Sequence, residues 1–248
     1  MLNEEQEKAV LHRDGPLLIL AGAGSGKTNT MTHRIAHLIE EGGVEPYNIF
    51  AVTFTNKAAK EMRDRVEKLL GSNANVWIST FHSAALRMLR VHSELTGYKN
   101  DFVVYDPHDQ KTLMKLCIKS RGLDEKKYAP AYVLSIISSC KEKAQGPDGY
   151  LKQNGDDFRT RPIYDLFSDY EAALKKNNAM DFDDLILNAV KLFEKNEDVL
   201  KKYQNRFKYI MVDEYQDTNF IQYRFIKLLA QAHNNICVVG DDDQCIYQ

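Results

Sequence analysis

The sequence lacks a long apolar run, and no stretch approaches the roughly 18 residues that a membrane-spanning helix needs. Its first six residues are mostly acidic and polar and have no apolar core, so we expect neither a signal peptide nor a membrane partner. Cysteine is also scarce, and the four cysteines (Cys117, Cys140, Cys237 and Cys245) form no C-x-x-C pair. We interpret them as reduced thiols of a cytoplasmic protein.

An excess of positive charge is missing too. The 33 lysines and arginines are balanced by 35 acidic residues, for a net charge of −2. Domains that bind nucleic acids are usually basic, so a nucleic-acid-binding function of this chain must rest on local motifs. What is present is an ordinary globular composition, 44% hydrophobic and 27% charged, in 248 residues. That length suits one large domain or two small ones.

Five short apolar runs predict strands that are buried on both faces, as in a parallel sheet. These runs lie at 16–20, 49–53, 76–79, 209–212 and 236–239. Helical patterns at 28–41 and 56–70 separate the first three runs. The order strand, helix, strand, helix predicts an α/β fold with a parallel sheet.

Residues 91–189 differ in sequence pattern, because no comparable apolar run that predicts a strand occurs there. Amphipathic helices are predicted at 132–143 and 164–175, and turns are predicted at 145–149 and 153–155. We therefore infer a discontinuous α/β domain, 1–90 with 190–248, interrupted by a mainly helical inserted domain, 91–189. The last predicted strand and its trailing loop end at 248, which predicts that the α/β domain is truncated C-terminally.

A glycine-rich segment, AGAGSGKT at 21–28, resembles a phosphate-binding loop in which Ala21 replaces the opening glycine. A predicted strand precedes it and a predicted helix follows it, as such a loop requires. Its backbone N–H groups are expected to surround phosphates at the helix N-terminus. Lys27 would reach the β- and γ-phosphates, and the Thr28 hydroxyl would bind Mg²⁺. Ala21 is acceptable if its φ is negative; the alternative is a glycine-rich turn without a ligand.

An acidic pair, Asp213 and Glu214, directly follows the predicted strand at 209–212. Carboxylates at the carboxyl end of a parallel strand lie where ligands bind in such sheets. Asp213 can hold Mg²⁺, and Glu214 can orient and deprotonate an attacking water, which favours hydrolysis. An acidic turn without function is the alternative. Lys27 and Asp213 are 186 residues apart (213 − 27), and the helical insertion accounts for that separation.

With these motifs the chain resembles superfamily 1 ATP-dependent DNA helicases of the UvrD/Rep/PcrA type, and most of all the PcrA branch. Six motifs in the family's order carry the resemblance: LNEEQ at 2–6, AGAGSGKT at 21–28, TFTNKAA at 53–59, TFHS at 80–83, DEYQD at 213–217 and VGDDDQ at 239–244. The resemblance implies a RecA-like P-loop NTPase domain, called 1A, with the helical domain 1B inserted into it. It also implies ATP and Mg²⁺ as cofactors.

The resemblance assigns further nucleotide contacts. Gln6 would read the adenine edge, although Asn3 and Gln6 also fit a helix capping box. Gln244 would sense the γ-phosphate and link the ATP state to DNA binding. Asn29 stands where the family usually has arginine, which leaves that contact in doubt, and Cys245 stands where serine is commoner. The predicted nucleotide-binding residues are Gln6, Gly22, Ala23, Gly24, Ser25, Gly26, Lys27, Thr28 and Asn29.

Single-stranded DNA contacts are implied by the same resemblance. Phe54 would stack on a base, with the alternative of a core phenylalanine beside a helix cap. His82 is equally a candidate for a purely structural histidine. Phe182 and Tyr247 are aromatic positions assigned by resemblance alone. The predicted DNA-binding residues are Thr53, Phe54, Thr55, Asn56, Thr80, His82, Phe182 and Tyr247.

The inserted segment carries three lysines, Lys111, Lys115 and Lys119, that recur every four residues and therefore share one helix face. A basic ridge along a duplex backbone is one interpretation of this spacing. A plain solvated face is the other.

The resemblance as a whole implies the N-terminal portion of a 3′→5′ DNA helicase and translocase, acting on single-stranded DNA and on junctions in repair or replication. It would work in the bacterial cytosol, associated with the nucleoid, and its accessory partners are not identified. A second RecA-like domain in the missing C-terminal half would supply an arginine finger, worth about 10³–10⁵ in rate. We therefore expect this chain alone to bind ATP weakly and not to unwind DNA. A nucleotide-regulated DNA-binding module without motor activity, a RecB-type helicase–nuclease relative and a small-molecule kinase remain alternatives.

Overall fold

A computed structural model describes residues 2–22, 24–71 and 74–241. The chain forms two compact units. The first comprises Met1–Ala84, Phe193–Thr218 and Tyr223–Gln248, and the second comprises Ala85–Leu192 and Asn219–Gln222. The assignment of 1–90 with 190–248 and of 91–189 to domains 1A and 1B stays a prediction.

Strands and helices alternate through the first unit, whereas helices dominate the second. The strands are β1 (Leu17–Leu20), β2 (Ile49–Thr53), β3 (Trp77–Thr80), β4 (Val103–Val104), β5 (Ala179–Met180), β6 (Tyr209–Val212) and β7 (Ile236–Gly240). The helices are α1 (Glu4–Leu11), α2 (Lys27–Glu40), α3 (Asn56–Leu70), α4 (Phe81–Val91), α5 (Ser93–Thr96), α6 (Pro107–Ser120), α7 (Pro130–Glu142), α8 (Pro147–Asn154), α9 (Thr160–Lys176), α10 (Phe182–Lys195), α11 (Glu197–Arg206) and α12 (Phe220–Ala230).

The sheet of the first unit is parallel throughout its described strands, in the order β1-β7-β6-β2-β3. Leu20 pairs with Gly240 and Thr53 pairs with Thr80, so the carboxyl ends of neighbouring strands meet at one edge. Strands β2 and β6 are buried along their whole length, which explains their continuous apolar sequences. The predicted α/β class with a parallel sheet is therefore confirmed.

Helices α2 and α3 pack on the sheet through their apolar faces. Met31 and Ile35 of α2 and Met62 of α3 are fully buried with Ala51 of β2 in one cluster. Burying a side chain of this size contributes about 1.5–3 kcal/mol. This packing holds both helix N-termini at the edge of the sheet where strands β1 and β2 end.

The second unit has its own apolar core, in which Met114, Val133, Leu166 and Tyr170 are fully buried. The sequence indicated no strand there, but β4 and β5 form a short parallel pair. Each of them is only two residues long, which is too short to produce a recognisable apolar run. None of the helices in the described ranges has the length and apolar character needed to cross a membrane.

The predicted turns at 145–149 and 153–155 are wrong, because α8 occupies most of this stretch. Pro147 is the first residue of α8, a position where its missing N–H costs nothing. Gly155 follows the helix with φ of 83°, a conformation that favours glycine. The proline and glycine signals therefore mark the two ends of a helix rather than two turns.

Candidate nucleotide site and nucleic-acid interface

The glycine-rich loop joins β1 to α2, as the sequence predicts. Gly24 and Gly26 have φ of 76° and 85°, which explains glycine at both positions. Ala21 is not among the residues with positive φ, so its side chain causes no strain there. Its N–H donates to the Gly240 carbonyl at 3.1 Å, which fixes the start of the loop to the end of β7. Ala23 lies outside the described residues.

The side chain of Lys27 lies beside a carboxylate that the sequence prediction did not single out. Its Nζ is 3.0 Å from Asp241 Oδ2, and the side chains are only 9% and 2% exposed. Asp241 directly follows β7, as Asp213 follows β6. The same signal, an acid at the end of a buried strand, was therefore present for both.

The next residue of α2, Thr28, faces the predicted metal ligand. Its hydroxyl donates to Asp213 Oδ2 at 3.4 Å, so a hydroxyl and a carboxylate lie side by side at the sheet edge. Oxygen atoms of these two kinds are the ligands that Mg²⁺ prefers. The residues present therefore fit a magnesium ion.

Burial raises the pKa of Asp213 from 3.8 to about 6, with a further contribution from repulsion by Glu214. Hydrogen bonds from Glu214 N–H and Thr28 and the charge of Lys27 act in the opposite direction. The effect of burial wins because the carboxyl group is almost completely removed from water. A nearby cation would favour its ionised form.

Glu214 is held in an uncommon backbone conformation. Its φ is 52° and its ψ is 46°, in the left-handed region that costs a non-glycine residue roughly 1–2 kcal/mol. Its Oε2 accepts a hydrogen bond from Gln216 Nε2 at 2.7 Å. Gln216 Oε1 in turn accepts from the Asp241 N–H at 3.1 Å. Gln216, which the sequence prediction did not name as a site residue, thus fixes Glu214 and joins it to the end of β7.

Both proposed roles of Gln6 have a structural counterpart. Asn3 and Gln6 form a complete capping box at the start of α1. The Gln6 Nε2 group also donates to the Ser25 carbonyl at 2.8 Å, so the side chain lies against the loop. Its adenine contact stays a prediction. Asn29 lies in the first turn of α2, where its carbonyl accepts from the Thr32 hydroxyl at 2.9 Å.

A buried arginine places α1 beside the loop. Arg34 of α2 is 2% exposed and donates to the carbonyls of Ala9, His12 and Arg13, at 3.1 Å for Ala9 and 3.2 Å for Arg13. Carbonyls at a helix C-terminus lack partners within their own helix. Arg34 therefore caps the C-terminal end of α1 and fixes the helix that carries Gln6.

The predicted DNA-binding segment after β2 is partly buried and partly exposed. Thr53 is 1% exposed, and its hydroxyl makes no hydrogen bond to any described residue. The Phe54 ring lies 5.4 Å from the Phe81 ring, centre to centre. Thr55 caps α3 by accepting from Ala58 N–H at 3.1 Å, and Asn56 is exposed. Phe54 is thus supported from one side by a second aromatic ring.

The segment after β3 lies at the same edge of the sheet. The Thr80 hydroxyl donates to Ser83 Oγ at 2.8 Å, which leaves Thr80 in a local structural role. His82 is partly buried, and burial lowers its pKa, so its imidazole is neutral at pH 7.

The remaining predicted site residues lie elsewhere. Phe182 belongs to the second unit and is 45% exposed at the start of α10. Gln244 and Tyr247 lie outside the described residues, so their roles stay predictions.

Comparison with known proteins places these observations in a family. Residues 2–248 match the family described as the UvrD/REP helicase N-terminal domain. The chain is 49% identical over 247 residues to proteins named ATP-dependent DNA helicase PcrA from Staphylococcus aureus and from Staphylococcus epidermidis. Each alignment covers 99% of this chain but only 34% of the length of the relative. The resemblance predicted from six motifs is confirmed, and the chain belongs to the family of the UvrD/REP helicase N-terminal domain.

Proposed function

We propose that this chain is the nucleotide-binding N-terminal portion of an ATP-dependent DNA helicase that moves 3′→5′ along single-stranded DNA. One observation supports this most strongly: Lys27 and Thr28 lie beside Asp241 and Asp213 at a single sheet edge. The relatives' name, ATP-dependent DNA helicase, agrees with hydrolysis as the use of this site. The proposal includes action on junctions during repair or replication in the bacterial cytosol, with partners not yet identified.

Each residue of the site has a part in hydrolysis. Lys27 would exchange Asp241 for the β- and γ-phosphate oxygens of ATP, which carry more negative charge. Thr28 and Asp213 would hold Mg²⁺, which neutralises charge on the phosphates when it is bound. Glu214, oriented by Gln216, would accept a proton from the attacking water. Glu214 is held by Gln216, whereas Asp213 lies beside Thr28, so the two acids serve different roles.

DNA would bind where β2 and β3 end and at Phe182. Phe54 is an aromatic ring backed by Phe81, which suits stacking on a base. Asn56 is exposed beside it and can donate to a phosphate. Because these groups and the ATP site share one sheet edge in the first unit, nucleotide state and DNA contact are close enough to influence each other.

The nucleotide site can be tested on the 248-residue chain with a fluorescent ATP analogue and Mg²⁺. We expect weak binding that Lys27→Ala reduces at least about 10-fold, since the phosphates lose their ammonium partner. Glu214→Gln is the matched control, because it keeps the shape of the site and its binding while removing the general base. Unchanged affinity in Lys27→Ala would contradict the site.

Motor activity requires a protein that contains this chain together with the predicted second RecA-like domain. There, Glu214→Gln should abolish DNA-stimulated ATP hydrolysis while DNA binding persists. A protein that binds DNA in an ATP-dependent way but never hydrolyses ATP would instead be a nucleotide-regulated binding module. A phosphorylated product other than inorganic phosphate would identify a kinase.

A further inference from the structure

A lysine is buried in the second unit among three acids, in a cluster that the proposed hydrolysis does not use. We define the buried lysine cluster as Lys141, Glu171, Asp181 and Asp184. The Lys141 ammonium lies 2.7 Å from Glu171, 2.7 Å from Asp181 and 2.8 Å from Asp184. The side chain of Lys141 is 1% exposed, and those of Asp181 and Asp184 are 4% exposed. Such a lysine is rare unless its charge is paired.

The Lys141 ammonium occupies the position that an added cation would take in this cluster. The three carboxylates have oxygens within 4.8 Å of one another, a spacing that suits a metal, but the ammonium lies against all three. Burial alone lowers the pKa of Lys141, and the three carboxylates outweigh that effect and hold it well above its usual value. Lys141 is therefore the cation of this cluster.

An excess of negative charge remains in the cluster. Burial, together with repulsion from Asp181 and Glu171, raises the pKa of Asp184 to about 7, although Lys141 opposes the shift. The Tyr170 hydroxyl donates to Asp181 at 3.2 Å and relieves part of the excess. Burial and repulsion therefore work against the ionised form of Asp184, while Lys141 and the Asp181 N–H favour it.

Two members of the cluster also form the start of α10. The Asp181 N–H donates to Asp184 Oδ2 at 3.2 Å, and the Asp184 N–H donates to Asp181 Oδ1 at 2.9 Å. This reciprocal pair is a capping box, which fixes the backbone of the residues that it encloses. Phe182 is enclosed by it and is 45% exposed. The lysine of α7 thus holds the two carboxylates that fix the backbone carrying this ring.

From this geometry we infer that Lys141 is a positioning residue for DNA binding, which acts through Asp181 and Asp184 on the ring of Phe182. The inference rests on the proposed function, in which Phe182 stacks on a base. A stacking platform binds more tightly when its backbone is fixed beforehand, because less freedom is lost on binding. Burial of Lys141 costs free energy. In this inference it serves to position an exposed aromatic ring and not only to complete the core.

The test measures the affinity of the 248-residue chain for a fluorescent oligothymidylate by anisotropy. Phe182→Ala is expected to weaken binding about 10-fold, the size of one stacking contact. Lys141→Met should weaken it by a similar factor. If Lys141 acts through Phe182, the double variant binds less than about 2-fold more weakly than either single variant, because the two changes remove one interaction.

A second pair of variants covers the case in which Lys141→Met does not fold. Asp184→Asn keeps a side-chain acceptor for the Asp181 N–H and should bind like the unsubstituted chain. Asp184→Ala keeps the bond from its own N–H to Asp181 but loses the reciprocal half of the capping box, and it should bind more weakly, as Phe182→Ala does. Lys152→Met, an exposed lysine of α8, is the control for loss of one positive charge. Binding of the fluorescent ATP analogue should be unchanged in all of them.

The possible outcomes separate the inference from the proposed function. Absence of DNA binding by the unsubstituted chain would overturn both. Normal binding by Phe182→Ala would overturn the inference together with the proposed Phe182 contact. Multiplicative losses in the double variant, or equal binding by Asp184→Ala and Asp184→Asn, would overturn the inference alone. Loss of affinity in Phe182→Ala, Lys141→Met and Asp184→Ala, with rescue in Asp184→Asn, would support it.

Discussion

At the scale of single residues, the raised pKa of Asp213 predicts a pH-dependent stability. In the folded chain the Asp213 carboxyl group keeps its proton up to about pH 6, whereas in the unfolded chain it loses that proton near pH 3.8. This group therefore destabilises the fold as pH rises through that window, by an amount that reaches about 3 kcal/mol. Asp213→Asn should match the unsubstituted chain near pH 4 and exceed its stability above pH 6, in urea unfolding with a chelator present.

Asp217→Asn provides the comparison for loss of one carboxylate, because Asp217 is exposed in the same segment. Added Mg²⁺ should stabilise the unsubstituted chain and not Asp213→Asn. A stability difference for Asp213→Asn that is the same at low and high pH would mean that burial of the carboxyl group does not control it.

The sequence predicted several of the residues that meet at the sheet edge, but it did not predict their partners. Lys27, Thr28 and Asp213 were predicted from residue types next to strand ends. The pairing of Lys27 with Asp241 depends on β7 lying directly between β1 and β6, and a linear pattern does not give strand order. Gln216 could not be predicted either, because its contact with Glu214 depends on a left-handed backbone at Glu214 that no sequence signal required.

At the scale of secondary-structure elements, α1 depends on a single side chain from α2. Arg34→Lys keeps the charge but cannot reach all three carbonyls at the C-terminal end of α1. Two unsatisfied acceptors should cost about 2 kcal/mol in the free energy of unfolding. Because α1 carries Gln6 to the loop, affinity for the ATP analogue should fall as well.

Thermal unfolding and analogue binding measure these two effects of Arg34→Lys. Arg65→Lys makes the same exchange at an exposed position of α3 and should change neither. A stable Arg34→Lys variant with full affinity would show that α1 is held by its apolar contacts instead.

Elements with strong periodic patterns were predictable, and short ones were not. All five strands of the main sheet were expected within a residue or two, because each is a short apolar run. The expected burial on both faces holds for β2 and β6, whereas in β1 Leu18 and Leu20 are exposed. Helix α8 was mistaken for turns because glycine and proline signals do not reveal whether they flank a helix or a loop. Arg34 and Lys141 were missed because a charged residue in a helix is ordinarily expected to face solvent.

At the scale of the whole molecule, the net charge of −2 gives no general excess of cations with which to neutralise DNA phosphates. Each phosphate that a protein neutralises on single-stranded DNA adds about 0.7 to the slope of log affinity against log salt. Stacking by Phe54 and Phe182 adds affinity without adding to that slope. Phe54→Ala should therefore lower the affinity about 10-fold and leave the slope unchanged, in anisotropy titrations at several salt concentrations.

The lysines of α6 test whether positive charge contributes to DNA binding outside the stacking contacts. Lys111, Lys115 and Lys119 are exposed on one face, but the Lys115 ammonium lies 3.5 Å from the Glu125 carboxylate, which offsets its charge. We therefore expect the double variant Lys111→Gln/Lys119→Gln to bind single-stranded DNA and a junction with an unchanged slope, as a solvated face would. If the slope measured on the junction fell by about 1.8, which is the contribution of two duplex phosphates, the lysines would form a basic ridge along the duplex.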